Sequence, residues 1–218
     1  MYAVQAQRAG GPEVLEYVEI DDPTPGEGEV LVDVKATGIN FIDTYRRSGV
    51  YPMPFPHIPG TEGSGVVSQV GEGVTNVQVG DRVAWHDAPG SYAQKVAVKA
   101  DMLVPLPEDI DFDTAAAILL QGLTAHYLVT GSHRIEPGQT ALVHAAAGGV
   151  GLLLTQLITH MGGTVIGTVS TEEKAQLARE AGAQRGSERL CRLGAFTRNY
   201  RQSGYPGASP HRATTYCD

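Results

Sequence analysis

Residues 144–151 read His-Ala-Ala-Ala-Gly-Gly-Val-Gly. The short apolar stretch TALVHA runs into them, and an apolar run follows, with Val150, Leu153, Leu154, Leu157, Ile158 and Met161 at spacings of three and four. Small residues at a helix mouth let a ligand approach bare main chain. The unpaired N–H groups and dipole of the first turn then favour an anion. The pattern is Ala146-x-Gly148-Gly149-Val150-Gly151, a G-x-G-x-x-G with alanine in the first place. Set between a strand and a helix, it fits the pyrophosphate of a dinucleotide; the other reading is a tight packing turn with no ligand. About 20 residues past the glycines, NAD sites usually carry Asp or Glu; here the residue is Ser170. With no acid there, nothing repels a 2′-phosphate and Lys174 can pair with it, which favours NADPH. Glu172 and Glu173 lie beside Lys174, so a solvated helix lysine is the alternative.

The elements that must position this loop follow from the pattern on either side. TALVHA predicts a short buried strand, the 3.6-period run a helix ended by Gly162 and Gly163, and TVIGTVS a second strand. Ser170 and Glu173 have the spacing of a capping box for a further helix closing at Gly182. Strand–helix–strand–helix predicts a parallel α/β sheet from residue 113 to 184. DTAAAILLQGLTAHYLVTG, ahead of it, predicts one or two helices opened by an Asp cap. Residues 1–112 read differently. Val30, Val32, Val34 and Ala36 alternate with Leu31, Asp33, Lys35 and Thr37, the period of a half-buried strand. GVVSQVG, GDRVAW, YAQKVAV and MLVPL follow as short strands, mostly bounded by turn residues, which predicts a barrel or sandwich.

Composition narrows the class. A chain of 218 residues with 42% hydrophobic and 18% charged side chains reads as globular and large enough for a real core. The net charge of −8 argues against nucleic-acid and membrane-surface binding. No secretory leader and no apolar run of spanning length is visible, so the cytoplasm is the expected compartment. The two cysteines, Cys191 and Cys217, form neither a disulfide framework nor a zinc pair.

Several segments taken in order carry a resemblance: GGPEVLEY, GINFIDTYRRSGVYP, PGTEGSGVV, VGDRVAW, AAAILLQGLTAHYL and HAAAGGVGLLLTQL. From residue 1 to about 184 the chain resembles the zinc-independent quinone oxidoreductases, the zeta-crystallin-like branch of the medium-chain dehydrogenase/reductase superfamily. The resemblance implies a GroES-like β-barrel domain followed by a Rossmann domain, here incomplete. It implies NADPH-dependent reduction of a quinone or related conjugated carbonyl, with an enoyl or enone reductase as the neighbouring activity, and a homodimer. It also implies that Asn40, Asp43, Tyr45, Tyr51, Gln121 and Thr124 line the cleft near the nicotinamide. Tyr45 and Tyr51 are expected to stack on a flat ring or donate to a carbonyl oxygen. The alternatives are that the tyrosines cap a loop, that Asp43 caps local backbone and that Asn40 holds a strand end. Thr124 is the better expected cofactor contact. Zinc-dependent relatives place a His in a Gly-His-Glu stretch and a Cys in the barrel. Here those stretches read Gly60-Thr61-Glu62 and Gly38-Ile39-Asn40, so the expected metal set is none.

The sign of the charge changes near residue 185. Residues 185–218 hold six Arg, no Lys and two acids, with no sustained period of 2 or 3.6. They do not resemble the family's continuation, and their Arg/Ser/Gly/Pro-rich makeup would suit an out-of-frame reading. The expectation is a C-terminally truncated family member with a disordered tail. A non-catalytic remnant is therefore one reading of the chain, and an RNA-binding arm a less favoured reading of the tail.

Overall fold

The computed structural model describes residues 1–186, with side chains through Gln184; the tail expectation for 185–218 falls almost wholly outside that range. Two compact units divide between Gln121 and Gly122.

The first unit is antiparallel. β1 (Tyr2–Ala6) pairs with β2 (Leu15–Glu19). β3 (Glu29–Gly38), β4 (Glu62–Val70), β5 (Arg82–Trp85), β6 (Lys95–Lys99) and β7 (Val104–Pro105) form one sheet in the order β6-β3-β4-β5-β7. α1 (Phe41–Ser48) interrupts the run between β3 and β4. The core gathers Val30, Val32, Val67, Val83, Trp85, Val96 and Val98. β3 departs from the half-buried strand that its alternation predicts. Flanked by β6 and β4, it buries Val30, Leu31 and Val32 in succession, and the period of 2 shows only from Val34 onward. A central strand covered on both faces needs no polar side at that end.

α2 (Phe112–Tyr127) opens at the predicted place with a different cap. Asp111, not Asp113, accepts from Thr114 N at 2.6 Å and from Thr114 Oγ1 at 3.0 Å. These bonds hold the Asp111 carboxyl below its ordinary range, the Thr114 N–H being the largest cause. Arg82 fixes the approach to the helix: it donates to Pro107 O and Ile110 O, and its guanidinium lies 4.7 Å from the Phe112 ring centre.

The second unit is parallel α/β. β8 (Thr140–Val143), α3 (Gly149–His160), β9 (Thr164–Gly167) and α4 (Glu172–Glu180) follow in the predicted order. A third strand, β10 (Arg185–Gly186), pairs with β9, giving the order β10-β9-β8. At two residues it is too short to show any period, and the sequence pattern alone predicts two strands here. α3 buries Gly151, Thr155 and Ile158, while Leu154, Leu157 and Met161 are partly buried against the same core. Thr155 is tolerated inside because its Oγ1 donates to Gly151 O at 2.8 Å. The first unit and the second thus have the antiparallel-then-parallel architecture that the resemblance implies.

The predicted Ser170–Glu173 capping box is not formed. Thr171 is the N-cap of α4, and its Oγ1 accepts from Lys174 N at 3.2 Å. The shift by one residue releases Ser170 from the helix. Thr171→Ala is expected to cost about 1 kcal/mol, the usual worth of an N-cap hydroxyl. Faster amide exchange confined to the first turn of α4 would be the measurement.

Candidate functional site

The loop 144–148 leaves β8 and enters α3 at its N-cap, Gly148. Leu152 N donates to Gly148 O at 2.8 Å, so the N–H groups of the first turn precede the first intrahelical bond. Ala145 has φ +50, a left-handed conformation uncommon outside glycine. It is held there on both sides: Gly148 N donates to Ala145 O at 2.8 Å, and Ala145 N donates to Thr168 Oγ1 at 3.3 Å. His144 Nδ1 lies 3.2 Å from the same hydroxyl. Ala146 is fully buried, with its N–H on Thr168 O at 3.0 Å. A Cβ added to Gly167 would lie 2.7 Å from the Ala146 methyl. Glycine in β9 therefore makes room for alanine at the first place of the motif.

The three glycine places do different jobs. A Cβ at Gly148 would meet only Ala145 O, at 3.2 Å. A Cβ at Gly151 would lie 2.3 Å from Ala145 O and 2.8 Å from Ala146 Cα, so that hydrogen is a packing requirement. Gly149 is exposed and Val150 half-buried at the start of the helix.

A cavity of about 350 Å³ opens at this helix mouth, lined by Ala145, Ala147, Gly148, Thr168, Val169, Ser170 and Lys174. Lys174 Nζ donates to Ser170 Oγ at 3.3 Å. Among the described residues no carboxylate lines the cavity. The structure thus brings Gly148, Ser170 and Lys174 together, and leaves Ala146 and Gly151 beneath them as supports. Thr168 was missed by sequence reasoning. The signal for it was its position, two residues before the point where the acid was sought.

In the first unit, Asn40 and Asp43 are the N-cap and N3 residues of α1, in a capping box whose firm arm is Asn40 N donating to Asp43 Oδ2 at 3.0 Å. Tyr92 OH donates to the same oxygen at 3.0 Å. Burial first, then the Asp43 charge, pushes the Tyr92 phenol well above its ordinary range. Nearby, burial and then the Arg46 charge push His57 below its ordinary value. Asn40 Nδ2 donates to Glu62 Oε2 at 2.6 Å. Tyr45 and Tyr51 are partly exposed and meet edge to face with ring centres 5.7 Å apart, and Phe41 packs on Tyr45 at 5.2 Å. Asn40 and Asp43 thus sit in the helix-start network, whereas the two tyrosines present ring surface. Gln121 lines a separate cavity with Thr37, Gly38, Ile39, Asp113, Ala116 and Ala117. Thr124 lies half-buried in α2, one turn further on.

Residues 26–108 match the alcohol dehydrogenase GroES-like domain. A quinone oxidoreductase of Pseudomonas aeruginosa is 50% identical over 182 residues, covering 83% of this chain and 56% of that protein. Over the matched residues the chain is thus similar to quinone oxidoreductases. Within the same similarity, a 2-haloacrylate reductase of Burkholderia is 42% identical, over 83% of this chain and 56% of its own length. The crystal structure of Escherichia coli quinone oxidoreductase complexed with NADPH superposes with a TM-score of 0.85 at 44% identity, covering 90% of this chain and 63% of that one. The chain therefore spans a little over half the length of the curated family members it matches.

Proposed function

We propose that the chain carries the NADPH and substrate elements of a quinone oxidoreductase, passing hydride to a quinone or related conjugated carbonyl without zinc. The observation that carries this reading is the cavity at the mouth of α3, which gathers Gly148, Ser170 and Lys174 and, among the described residues, is lined by no acid. Its residues fit the group. Main chain at Gly148 and the first turn of α3, through Gly149, Val150 and Gly151, would hold the diphosphate. Ser170 and Lys174 would hold the 2′-phosphate. When bound, NADPH supplies the hydride.

The chain's own part is placement. Tyr45 and Tyr51 offer a flat ring surface and hydroxyl donors for a quinone and its carbonyl oxygen. Asn40 and Asp43 hold the start of the helix that bears Tyr45. Gln121 and Thr124 are assigned to the cofactor side. Zinc independence is supported by the donor set: Thr61 stands where a ligand would be needed, and the Glu62 oxygens are taken by N–H donors. No helix among the described residues is long and apolar enough to cross a membrane; a cytoplasmic setting and a homodimer are part of the proposal.

The test is titration of the chain with NADPH by fluorescence, followed by NADPH oxidation with a simple quinone. Saturable binding and turnover support the reading; absent binding, with a broad melt, points to a non-catalytic remnant. Lys174→Ala is expected to reduce the preference for NADPH over NADH by about tenfold, the worth of one charge-assisted contact. Equal loss for both cofactors would remove the 2′-phosphate from this corner. Reduction of an activated double bond is the second reading, favoured by the 2-haloacrylate reductase among the relatives. Turnover of an α,β-unsaturated acid in place of a quinone would establish it.

A further inference from the structure

Glu62, in β4, is fully buried. One carboxylate oxygen accepts from Asn40 Nδ2 at 2.6 Å and the other from Leu120 N at 2.7 Å. The first partner is the N-cap of α1 and the second lies in α2, so one side chain ties together two helices far apart in sequence. Room for it is made by Gly38, where a Cβ would lie 2.4 Å from Glu62 Oε2 and 2.4 Å from Ala116 O. Thr37 Oγ1 fixes the backbone at the same point by donating to Glu62 O at 3.0 Å. Burying a carboxylate is costly. An apolar side chain of similar size would avoid that cost but could not accept from both N–H groups.

We infer that Glu62 is a positioning residue for the substrate side: its grip on Asn40 and Leu120 sets where α1 holds Tyr45 and, through the Tyr51 N–H that donates to Tyr45 O at 3.2 Å, the Tyr45–Tyr51 ring pair. This rests on the reading above, in which that pair meets the quinone. α1 is only eight residues long, so its N-cap governs the whole helix. A second grip, Tyr92 on Asp43, reaches the backbone N–H of the same N-cap through Asp43 Oδ2, and leaves the Asn40 side-chain amide to Glu62.

The pair can be reversed chemically. Glu62→Gln keeps the shape but turns an NH₂ group toward one N–H donor. Adding Asn40→Asp restores the bond with opposite polarity, because the new amide donates to the new carboxylate while its oxygen still accepts from Leu120 N–H. The probes are tetranitromethane, for tyrosine nitration, and duroquinone, for binding. Arg46 and Arg47 place Tyr45 and Tyr51 in separate tryptic peptides, and exposed Tyr17 serves as internal reference. In Glu62→Gln the nitration of Tyr45 and Tyr51 relative to Tyr17 is expected to change by about fivefold, the worth of one buried hydrogen bond, with a similar loss of duroquinone affinity. Both should return to the parent value in Glu62→Gln/Asn40→Asp. An unchanged nitration ratio in the single variant overturns the inference, as does a change that the second substitution fails to reverse. A parent chain that ignores duroquinone, while the nitration ratio shifts and is rescued, removes the quinone reading and leaves the grip of Glu62 on the ring pair.

Discussion

Gly148→Val is expected to lower NADPH affinity by at least about 100-fold, roughly 2.7 kcal/mol, while the chain keeps its melting behaviour. The backbone at this residue has φ −80 and ψ 169, extended values open to any side chain. The added Cβ would meet one carbonyl oxygen, Ala145 O, at 3.2 Å, a contact that a few tenths of an ångström relieve. What changes is the cavity. Gly148 is one of its walls, and two methyl groups there would occupy the approach to the helix mouth. Calorimetric titration of parent and variant with NADPH measures the effect. Retained affinity in a folded variant would refute the placement of the diphosphate at α3.

Gly151→Ala, three residues further on, is expected to do the reverse: little change to the cavity lining but about 3 kcal/mol lost from the second unit. Its Cβ would lie 2.3 Å from Ala145 O and 2.8 Å from Ala146 Cα, both main-chain atoms with no flexible end to swing aside. The loop and α3 would have to separate, loosening the core around Val143, Ala146, Ile158 and Val165. Amide exchange reads this directly, through lost protection in β8 and β9 with protection in β3 and β4 unaltered. An alanine variant with parent-like protection in β8 would show that the loop has slack here.

The contrast between these glycines marks how far the sequence could be read. Period and punctuation predicted β8, α3, β9 and α4 in order, because amphipathic periods and glycine stops are local signals. They gave the motif as one unit and could not say which glycine faces a ligand and which a carbonyl. That distinction depends on the path of Ala145, whose left-handed turn no residue type announces. Ser170 and Thr171 are both good N-caps, so composition does not separate them; the backbone at Thr171 decides between them. Asp33 and Lys35 give β3 a half-buried pattern, although its first half is buried in succession in a sheet whose neighbouring strands lie far away in sequence. Tyr45 and Tyr51 stand out by resemblance, whereas Glu62 and Tyr92, which brace the helix that bears Tyr45, are visible only once β4 and its neighbours are assembled. Tertiary contacts of that kind leave no periodic trace.

The alanine at position 146 has a consequence for the whole β8–β9 seam. Its methyl group occupies the volume that a side chain at position 167 would claim. Space between the loop and β9 is therefore shared: one carbon atom fits, on either side, but not two. Gly167→Ala by itself should be poorly accepted, and the same exchange together with Ala146→Gly should be nearly neutral, with the motif then in its all-glycine form and the strand behind it one carbon heavier.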